Sequence, residues 1–582
     1  MKIVYYIVCT MGEVPKHMDK EYIAYFSMEI GISHSMPTYA GGLGILAGDL
    51  LKAFADLKVA AVGITLLNEK GYLKQKIDNG EQKEEPQDWN VPEHLVLLPN
   101  QVIVKIDGRD VKVRVWKHLI RGITGYNVPV FFLDTNLEEN SEYDRKLTAN
   151  LYGGDKEYRL AQECILGIGG VRILESLGYN NIKKYHMNEG HAALLTIELL
   201  RKTYRDSYDE EHSYDINYVR DRCVFTTHTP VAAGHDHFEI PLVRKLLGNF
   251  IPEFILTKSL NNGQLSMTLL GLNLSKYING VAKRHTEITR EMFPQYSIDS
   301  ITNGIHHLTW ISKPFKELYD QYIPGWIFDP FALRYALSIP KEKMIETHFQ
   351  AKQALIEEVN SRTDQNFHIA RFTIGYARRF TEYKRPDMLL FDINKLKEIT
   401  EKVGDIQIVY AGKAHPNDLQ GKKLIKKIYD IANQINKENS KLKIVFLEDY
   451  DMRLAKILVS GCDVWLNTPQ RPFEASGTSG MKAALNGVPQ ISTLDGWWLE
   501  GCIDNITGWS IGPHPQEPGF KLDSDMIDEA KDLYAKLEQI IPIFYGNKEK
   551  WTDIMRHCIA INGSFFNTIR MAQQYIANAY IE

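Results

Sequence analysis

Between residues 372 and 496 the chain alternates between short apolar, β-branched runs and longer amphipathic ones. FTIGYA is followed by YKRPDMLLFDINKLKEI, IQIVYAGKA by DLQGKKLIKKIYDIANQI, and LKIVFLE by YDMRLAKILVSG. DVWLNTP leads into RPFEASGTSGMKAALNG, and PQISTLDG closes the series. A strand covered on both faces needs apolar side chains throughout, whereas a covering helix needs only one apolar stripe. The alternation therefore predicts βα units in a doubly wound parallel sheet, whose ligands lie beyond the carboxyl ends of the strands.

The first half repeats the pattern with longer interruptions. AYFSMEIG precedes a helix predicted over residues 43–57, with Leu43, Leu46, Leu50, Phe54 and Leu57 on its apolar positions. KYHMNEG and CVFTTHT read as further strands, and residues 74–153 as a charged, β-rich insertion. The expected fold class is α/β, with two Rossmann-like lobes over 1–311 and 312–565 and the active cleft between them. The junction is expected near 310–314. The amphipathic run FFNTIRMAQQYIANAYIE is expected to give a helix over 566–582 that packs back on the first lobe.

Composition narrows the function. A formal net charge of −5 argues against a nucleic-acid or anionic-membrane partner for the chain as a whole. The six cysteines show no C-x-x-C spacing, which fits free thiols in a reducing compartment better than disulfides or a zinc site. MKIVYYIVCTMGEV reads as a leading strand, because its apolar run is barely long enough for a signal peptide and no small-x-small cleavage site follows. No stretch reaches transmembrane length. The expectation is a cytoplasmic protein.

Three segments suggest anion binding. TYAGGLGILAGDLL sets Gly41, Gly42 and Gly44 at a helix start, where backbone N–H groups reach an anion at the positive end of the dipole. Gly48 falls one residue late for a dinucleotide fingerprint, and a tight turn with close helix packing is the bland alternative. GYARRFTEYKRP sets Arg378, Arg379 and Lys384 at the carboxyl end of a strand and the start of a helix, where they suit phosphate better than a surface charge run does. Ser476, Gly477, Thr478, Ser479 and Gly480 open a helix that stops at Gly487 and Pro489. Lys482 is expected in its first turn, where the dipole disfavours a cation. That misfit suggests an imine-forming amine, although a lone helical lysine is usually idle.

Histidines follow two strands: His191 after Glu189 in MNEGH, and His228 in FTTHTPVAAGHDHF. His235 and His237 lack a third ligand at helpful spacing, so no metal is expected. Structural histidines are the alternative reading for all of them.

Together these segments resemble the α-glucan phosphorylases, the glycogen, starch and maltodextrin phosphorylase family of retaining glycosyltransferases. MPTYAGGLGILAGDLLKAFADL, MNEGHAAL, FTTHT, INGVAKRHTEI, TNGI, RRFTEYKR, YAGKAHP and EASGTSGMKAALNG carry the resemblance, in the family's order. It implies the GT-B fold and reversible phosphorolysis of terminal α-1,4-linked glucose to glucose 1-phosphate. It also implies pyridoxal phosphate held as a Schiff base by Lys482, with the cofactor's phosphate relaying a proton to the substrate phosphate. Arg379 and Lys384 would bind the substrate phosphate, with Arg378 near the cofactor phosphate. Gly477 and Thr478 would donate to both phosphates, and Gly41 and Gly42 would form the loop facing the substrate phosphate.

The same resemblance puts His228 and Asn303 on the 6-hydroxyl of the reacting glucose, with the His228 carbonyl facing the developing oxocarbenium. Glu474, Ala475, Ser476 and Gly477 would bracket the 3- and 4-hydroxyls, and Tyr450 would pack near the cofactor. Glu29 and His191 match positions at the edge of the site.

The sequence departs from the long family members at Asp451, where they carry arginine, and at Arg378, where they carry lysine. It also reads DGWW in place of DGAN, and Ile30 and Gly31 replace an aromatic after Glu29. The chain is shorter as well, and neither regulatory phosphorylation nor nucleotide activation is expected. A homo-oligomer is left open. The rivals are a nucleotide-sugar glucan synthase, a non-catalytic glucan-binding protein, and a two-carboxylate hydrolase in which Glu474 has no evident partner acid. Trp310, Trp497 and Trp498 are sugar platforms or, more commonly, core.

Overall fold

The computed structural model describes residues 20–207, 209–230, 235–438, 441–515, 517 and 525–581. The leading strand expected at the N-terminus lies outside the described residues, as does Cys9. Two large sheets organise the chain. The second has six parallel strands in the order Leu442–Leu447, Ile406–Ala411, Phe372–Ala377, Val464–Asn467, Gln490–Thr493 and Gly508–Ile511. The first five match the expected series. The sixth, GWSI, extends the series beyond PQISTLDG; four residues after a turn give too short a run to stand out in the sequence.

Strand order reverses between Phe372–Ala377 and Val464–Asn467, because the chain builds outward from this pair in both directions. Loops leaving such a pair diverge and open a crevice at the carboxyl ends. Both faces of the sheet are covered: Phe372, Ile374 and Tyr376 join one apolar cluster, and Ala377, Val409 and Ala411 another. Strands buried in this way need the continuous apolar runs read in the sequence.

The first sheet has nine strands. Its parallel part includes Tyr277–Gly280, Cys223–Thr226, Ile182–Asn188, Tyr22–Ser27, Ala61–Leu66 and Asn127–Asp134. Its order reverses between Tyr22–Ser27 and Ile182–Asn188, which places a second crevice there. Alternate residues of Tyr22–Ser27 face opposite clusters, Ala24 and Phe26 on one side and Ile23 and Tyr25 on the other. The predicted helix is observed over Gly42–Asp56.

Residues 74–153 are β-rich but not a separate insertion. Val96–Ile106 and Arg109–Arg121 continue the first sheet as antiparallel strands beyond Asn127–Asp134. Only the hairpin Lys74–Asp78 and Glu81–Glu85 stands apart. Its amides reach the loops of the second sheet: Gln75 Nε2 donates to the Gly412 carbonyl at 2.9 Å, and Gln82 Nε2 to the Ala414 carbonyl at 2.9 Å.

The final segment, helical over Thr568–Tyr575, packs against the first sheet. The Tyr580 hydroxyl bonds His186 Nδ1 at 2.6 Å. Arg570 donates to the carbonyls of Thr302 at 2.5 Å and Asn303 at 3.0 Å. Among the described residues no helix is long and apolar enough to cross a membrane.

Candidate active site

Arg378 and Arg379 follow directly on Phe372–Ala377, at the reversal of the second sheet. The helix expected to begin there does not. A 3-10 turn, Glu382–Lys384, ends at Arg385 with φ +46°, and the first α-helix is Ile393–Val403. Pro386 is the physical reason, since it lacks an N–H and disfavours helical geometry in the residue before it. Arg385 ties this loop to the one leaving the neighbouring strand. Its guanidinium donates to the carbonyls of Thr468 and Pro469, both at 2.9 Å, and pairs with buried Glu529 at 2.5 Å. Arg471 holds the other Glu529 oxygen at 3.0 Å. The planar fork of arginine suits such a multi-point anchor.

On this frame Glu474 is buried, and one oxygen, Oε2, accepts from both Arg378 Nη2 at 2.7 Å and Lys384 Nζ. Burial alone would raise the Glu474 carboxyl, but Arg378 and then Lys384 outweigh it and hold it down at about 2. Arg378 keeps unused capacity: Nε and Nη1 are buried without a hydrogen-bond partner among the described residues. The structure thus joins Arg378 with Lys384 on Glu474, while the more exposed Arg379 reaches the same group through Tyr383, which bonds both Arg379 and Lys384. Buried donors of this kind ask for an anion.

The Glu474 loop has a rigid back that sequence reasoning missed. Asp495 Oδ2 accepts the Glu474 N–H at 2.8 Å, and Oδ1 accepts the Gly496 N–H at 2.9 Å. The Trp497 N–H donates to the Ser476 carbonyl at 2.9 Å. Gly496 adopts φ +54°, and a Cβ there would lie 2.4 Å from that same oxygen. Burial pushes the Asp495 carboxyl up to about 7, against the pull of the Glu474 N–H. Glu474 therefore does have a nearby acid, one reached through its own backbone. Trp497 and Trp498 are buried and pack on each other with ring centroids 5.1 Å apart, so they serve as core and not as sugar platforms.

Gly477 takes φ +73°, and Thr478 sits at the N-cap of the helix Ser479–Leu485 without a side-chain cap bond. The helix is only seven residues long, so Lys482 is its middle residue and not a first-turn one. Its ammonium lies 3.7 Å from the centre of the Trp310 ring, and among the described residues no carboxylate comes within ion-pair distance. Burial lowers this amine to about 8. Trp310 is fixed in turn by donating to Asp49 Oδ2 at 2.6 Å, which brings the glycine-led helix Gly42–Asp56 beside Lys482. Tyr450 is half-buried; Asp451, the departure beside it, caps the helix Met452–Gly461 by accepting the Leu454 N–H at 2.7 Å.

In the first sheet Glu29 and Glu189 follow the two strands at the order reversal. Glu29 Oε2 accepts the N–H groups of Ala40 at 2.5 Å and Gly41 at 3.2 Å, and Oε1 accepts from the Tyr152 hydroxyl at 2.9 Å. Glu29 thus shapes the glycine loop from behind. A Cβ at Gly41 or Gly42 would meet nothing within 4 Å, so the glycine loop borders open space, while the Gly41 N–H is engaged by Glu29.

His228 Nε2 bonds Asn188 Oδ1 at 2.5 Å, and its N–H donates to Glu189 at 2.7 Å. Burial lowers its ring to about 4, which keeps it neutral at working pH. Asn303 Oδ1 is buried and unpartnered among the described residues, and so is His191 Nδ1. His191 Nε2 faces Asp236 at 3.3 Å. His235 Nδ1 bonds the Thr268 hydroxyl, and His237 Nδ1 bonds the His235 carbonyl, each at 2.8 Å, so both rings are engaged in structural hydrogen bonds.

Two largely parallel sheets, each reversing order where its charged residues gather, define an α/β protein with crevices for ligands beyond its strand ends. A family model described as carbohydrate phosphorylase matches residues 36–115 and 249–505. The chain is 38% identical over 606 residues to a maltodextrin phosphorylase of Thermococcus litoralis, covering 96% of this chain and 70% of that one. It is 34% identical to a glycogen phosphorylase of Aquifex aeolicus, covering 100% and 89%. An uncharacterized protein of Methanocaldococcus jannaschii is 32% identical, covering 96% and 99%. The chain belongs to the carbohydrate phosphorylase family.

Proposed function

We propose that this protein cleaves terminal α-1,4-linked glucose from glycogen, starch or maltodextrin by phosphorolysis, giving glucose 1-phosphate with retention. The observation that carries the reading is the convergence of Arg378 and Lys384 on one buried carboxylate, with two Arg378 donors unpartnered among the described residues. The names of the relatives support the same substrates. The two sheets are read as the facing lobes of a GT-B fold.

Pyridoxal phosphate fits the residues present. The Lys482 amine is buried, lacks a carboxylate partner among the described residues and is lowered to about 8, so a usable fraction is an uncharged nucleophile near neutrality. Arg378 would lie against the cofactor phosphate with Gly477 and Thr478, and Tyr450 would pack near the ring. When bound, the cofactor supplies a phosphate group as proton relay.

Arg379 and Lys384 then bind the incoming phosphate, opposite the loop of Gly41 and Gly42. Two adjacent phosphates repel strongly in a cleft of low dielectric, so several fixed cations and N–H groups are needed to hold them. His228 and Asn303 hold the 6-hydroxyl; the neutral His228 ring adds no charge against the developing oxocarbenium, and its carbonyl faces that centre. Glu474, Ala475, Ser476 and Gly477 bracket the 3- and 4-hydroxyls, while Glu29 and His191 support the edge of the site.

The test is a near-ultraviolet spectrum of the purified protein, then borohydride reduction and peptide mapping. A reduced pyridoxyl label on Lys482 is expected. A colourless protein that extends glucan from a nucleotide sugar would overturn the reading in favour of a synthase.

A further inference from the structure

Three side chains with metal-binding atoms converge at one edge of the second sheet. Cys502 follows the short helix Trp498–Gly501, Asp504 lies in the turn after it, and His514 lies just past the edge strand Gly508–Ile511. A thiol sulfur, a carboxylate oxygen and an imidazole nitrogen thus lie within 4.8 Å of one another. The spacing C-x-D-x9-H matches no common zinc pattern, so the fold, not a local motif, assembles the cluster.

The turn that carries these groups is tightly bonded. The Thr507 hydroxyl donates to the Gly501 carbonyl and accepts the Ile503 N–H, each at 2.8 Å, and the Asn505 N–H donates to the Gly508 carbonyl at 2.9 Å. Ser510 holds Asp504 from behind, its N–H reaching Oδ1 at 2.7 Å and its hydroxyl reaching Oδ2 at 2.9 Å. Outer bonds of this kind orient a ligating carboxylate.

Two further protons point at Asp504. His514 Nε2 donates to Oδ2 at 2.9 Å, and the Cys502 thiol faces Oδ1 at 3.9 Å. The His514 and Asp504 side chains are 30% and 27% exposed, so an ion can enter from solvent. Burial would raise the Asp504 carboxyl, but His514 and Ser510 outweigh it and hold it low. Burial and then Asp504 push the Cys502 thiol well up, so it keeps its proton until a cation takes that proton's place. Lys536, on the helix Met526–Gly546, is the like charge that a cation meets here. Thiolate and carboxylate together outnumber it and neutralise a divalent ion.

A donor set of one sulfur, one nitrogen and one oxygen selects zinc over magnesium or calcium, which take oxygen ligands. Zinc bonds of about 2.0–2.3 Å set tetrahedral ligand atoms roughly 3.5 Å apart, which small side-chain rotations reach from the observed separations.

We propose that Cys502, Asp504 and His514 bind a zinc ion, with water in the fourth position, and so clip the end of the helix Trp498–Gly501 to the segment beyond the edge strand. Zinc sends the thiol proton to solvent and accepts the Nε2 lone pair of His514, whose ring proton then sits on Nδ1. The site uses none of the residues assigned to phosphorolysis, so it stands or falls apart from that reaction.

The test strips the full-length protein with a chelator and titrates it with Zn2+, using Mg2+ as the control. The parent should bind one equivalent of zinc, release about one proton per ion near neutral pH, and melt at a higher temperature with zinc than with chelator. Co2+ in place of zinc should give tetrahedral visible bands and a sulfur-to-cobalt charge-transfer band in the difference spectrum. Cys502→Ser should lose the charge-transfer band and the proton release, and His514→Gln should weaken binding. Ser510→Ala leaves all three ligands in place and should weaken zinc on the order of tenfold through the lost outer bond. No stoichiometric zinc uptake by the parent, or equal affinity in the parent and Cys502→Ser, would overturn the site. A cobalt spectrum without the sulfur band would overturn it as well.

Discussion

Asp495 accepts the backbone N–H of Glu474 at 2.8 Å, so the carboxylate that neutralises Arg378 and Lys384 is held in place by a second acid behind it. The two acids are pushed apart by their surroundings, Glu474 to about 2 and Asp495 to about 7. Asp495 faces Glu474 and Lys384, with its own oxygens on the Glu474 and Gly496 amides. Paired groups with divergent ionisation often mark functional sites.

Asp495→Ala removes the acceptor of two buried N–H groups, each left at a cost of about 1–3 kcal/mol. Activity should fall on the order of tenfold or more at about 1.4 kcal/mol per decade, with Asp495→Asn recovering part of it. Steady-state kinetics with both variants checks this; equal activity in parent and Asp495→Ala would remove Asp495 from the account.

The raised Asp495 carboxyl also sets a pH dependence of stability. Its contribution is full below its unfolded value near 3.8 and is lost as pH rises through about 7. Asn cannot ionise, so Asp495→Asn should gain stability relative to the parent between those limits and level off above. Urea melts across that range test the sign.

Glu474→Gln leaves two buried cations unpaired, and breaking such a pair costs about 3–5 kcal/mol. Added phosphate should then raise the melting temperature of the variant more than that of the parent, because the anion replaces the missing charge. A smaller phosphate shift in the variant would contradict the anion assignment.

Lys482→Ala should abolish activity while leaving the fold intact, since the lost contact with Trp310 is worth about 0.5–2 kcal/mol. In the apo-protein, modification of Lys482 by an aldehyde should accelerate as pH rises through about 8, where the amine loses its proton. Circular dichroism and mass mapping separate the two effects.

Much of this was legible in the sequence. The second sheet could be read strand by strand because doubly covered strands need unbroken apolar runs. The motifs at Arg378 and Glu474 were visible for the same reason: the first follows its run directly, and the second lies in the loop that leaves the neighbouring run. The backing of the site was not. Asp495 belongs to a turn 21 residues after Glu474, and the Arg385–Glu529 and Trp310–Asp49 contacts join distant segments with no local pattern. Pro386 breaks the expected helix even though the run around it has an amphipathic pattern. Residues 74–153 looked like an insertion because an antiparallel extension of a parallel sheet, here strands within 96–134, has the alternating pattern of a separate β unit.

The most direct measurement is phosphorus NMR of the purified protein with maltodextrin and inorganic phosphate. The account predicts loss of the phosphate signal with matching growth of α-glucose 1-phosphate, and no reaction when phosphate is omitted. Release of free glucose without consumption of phosphate, or formation of the β anomer, would contradict it.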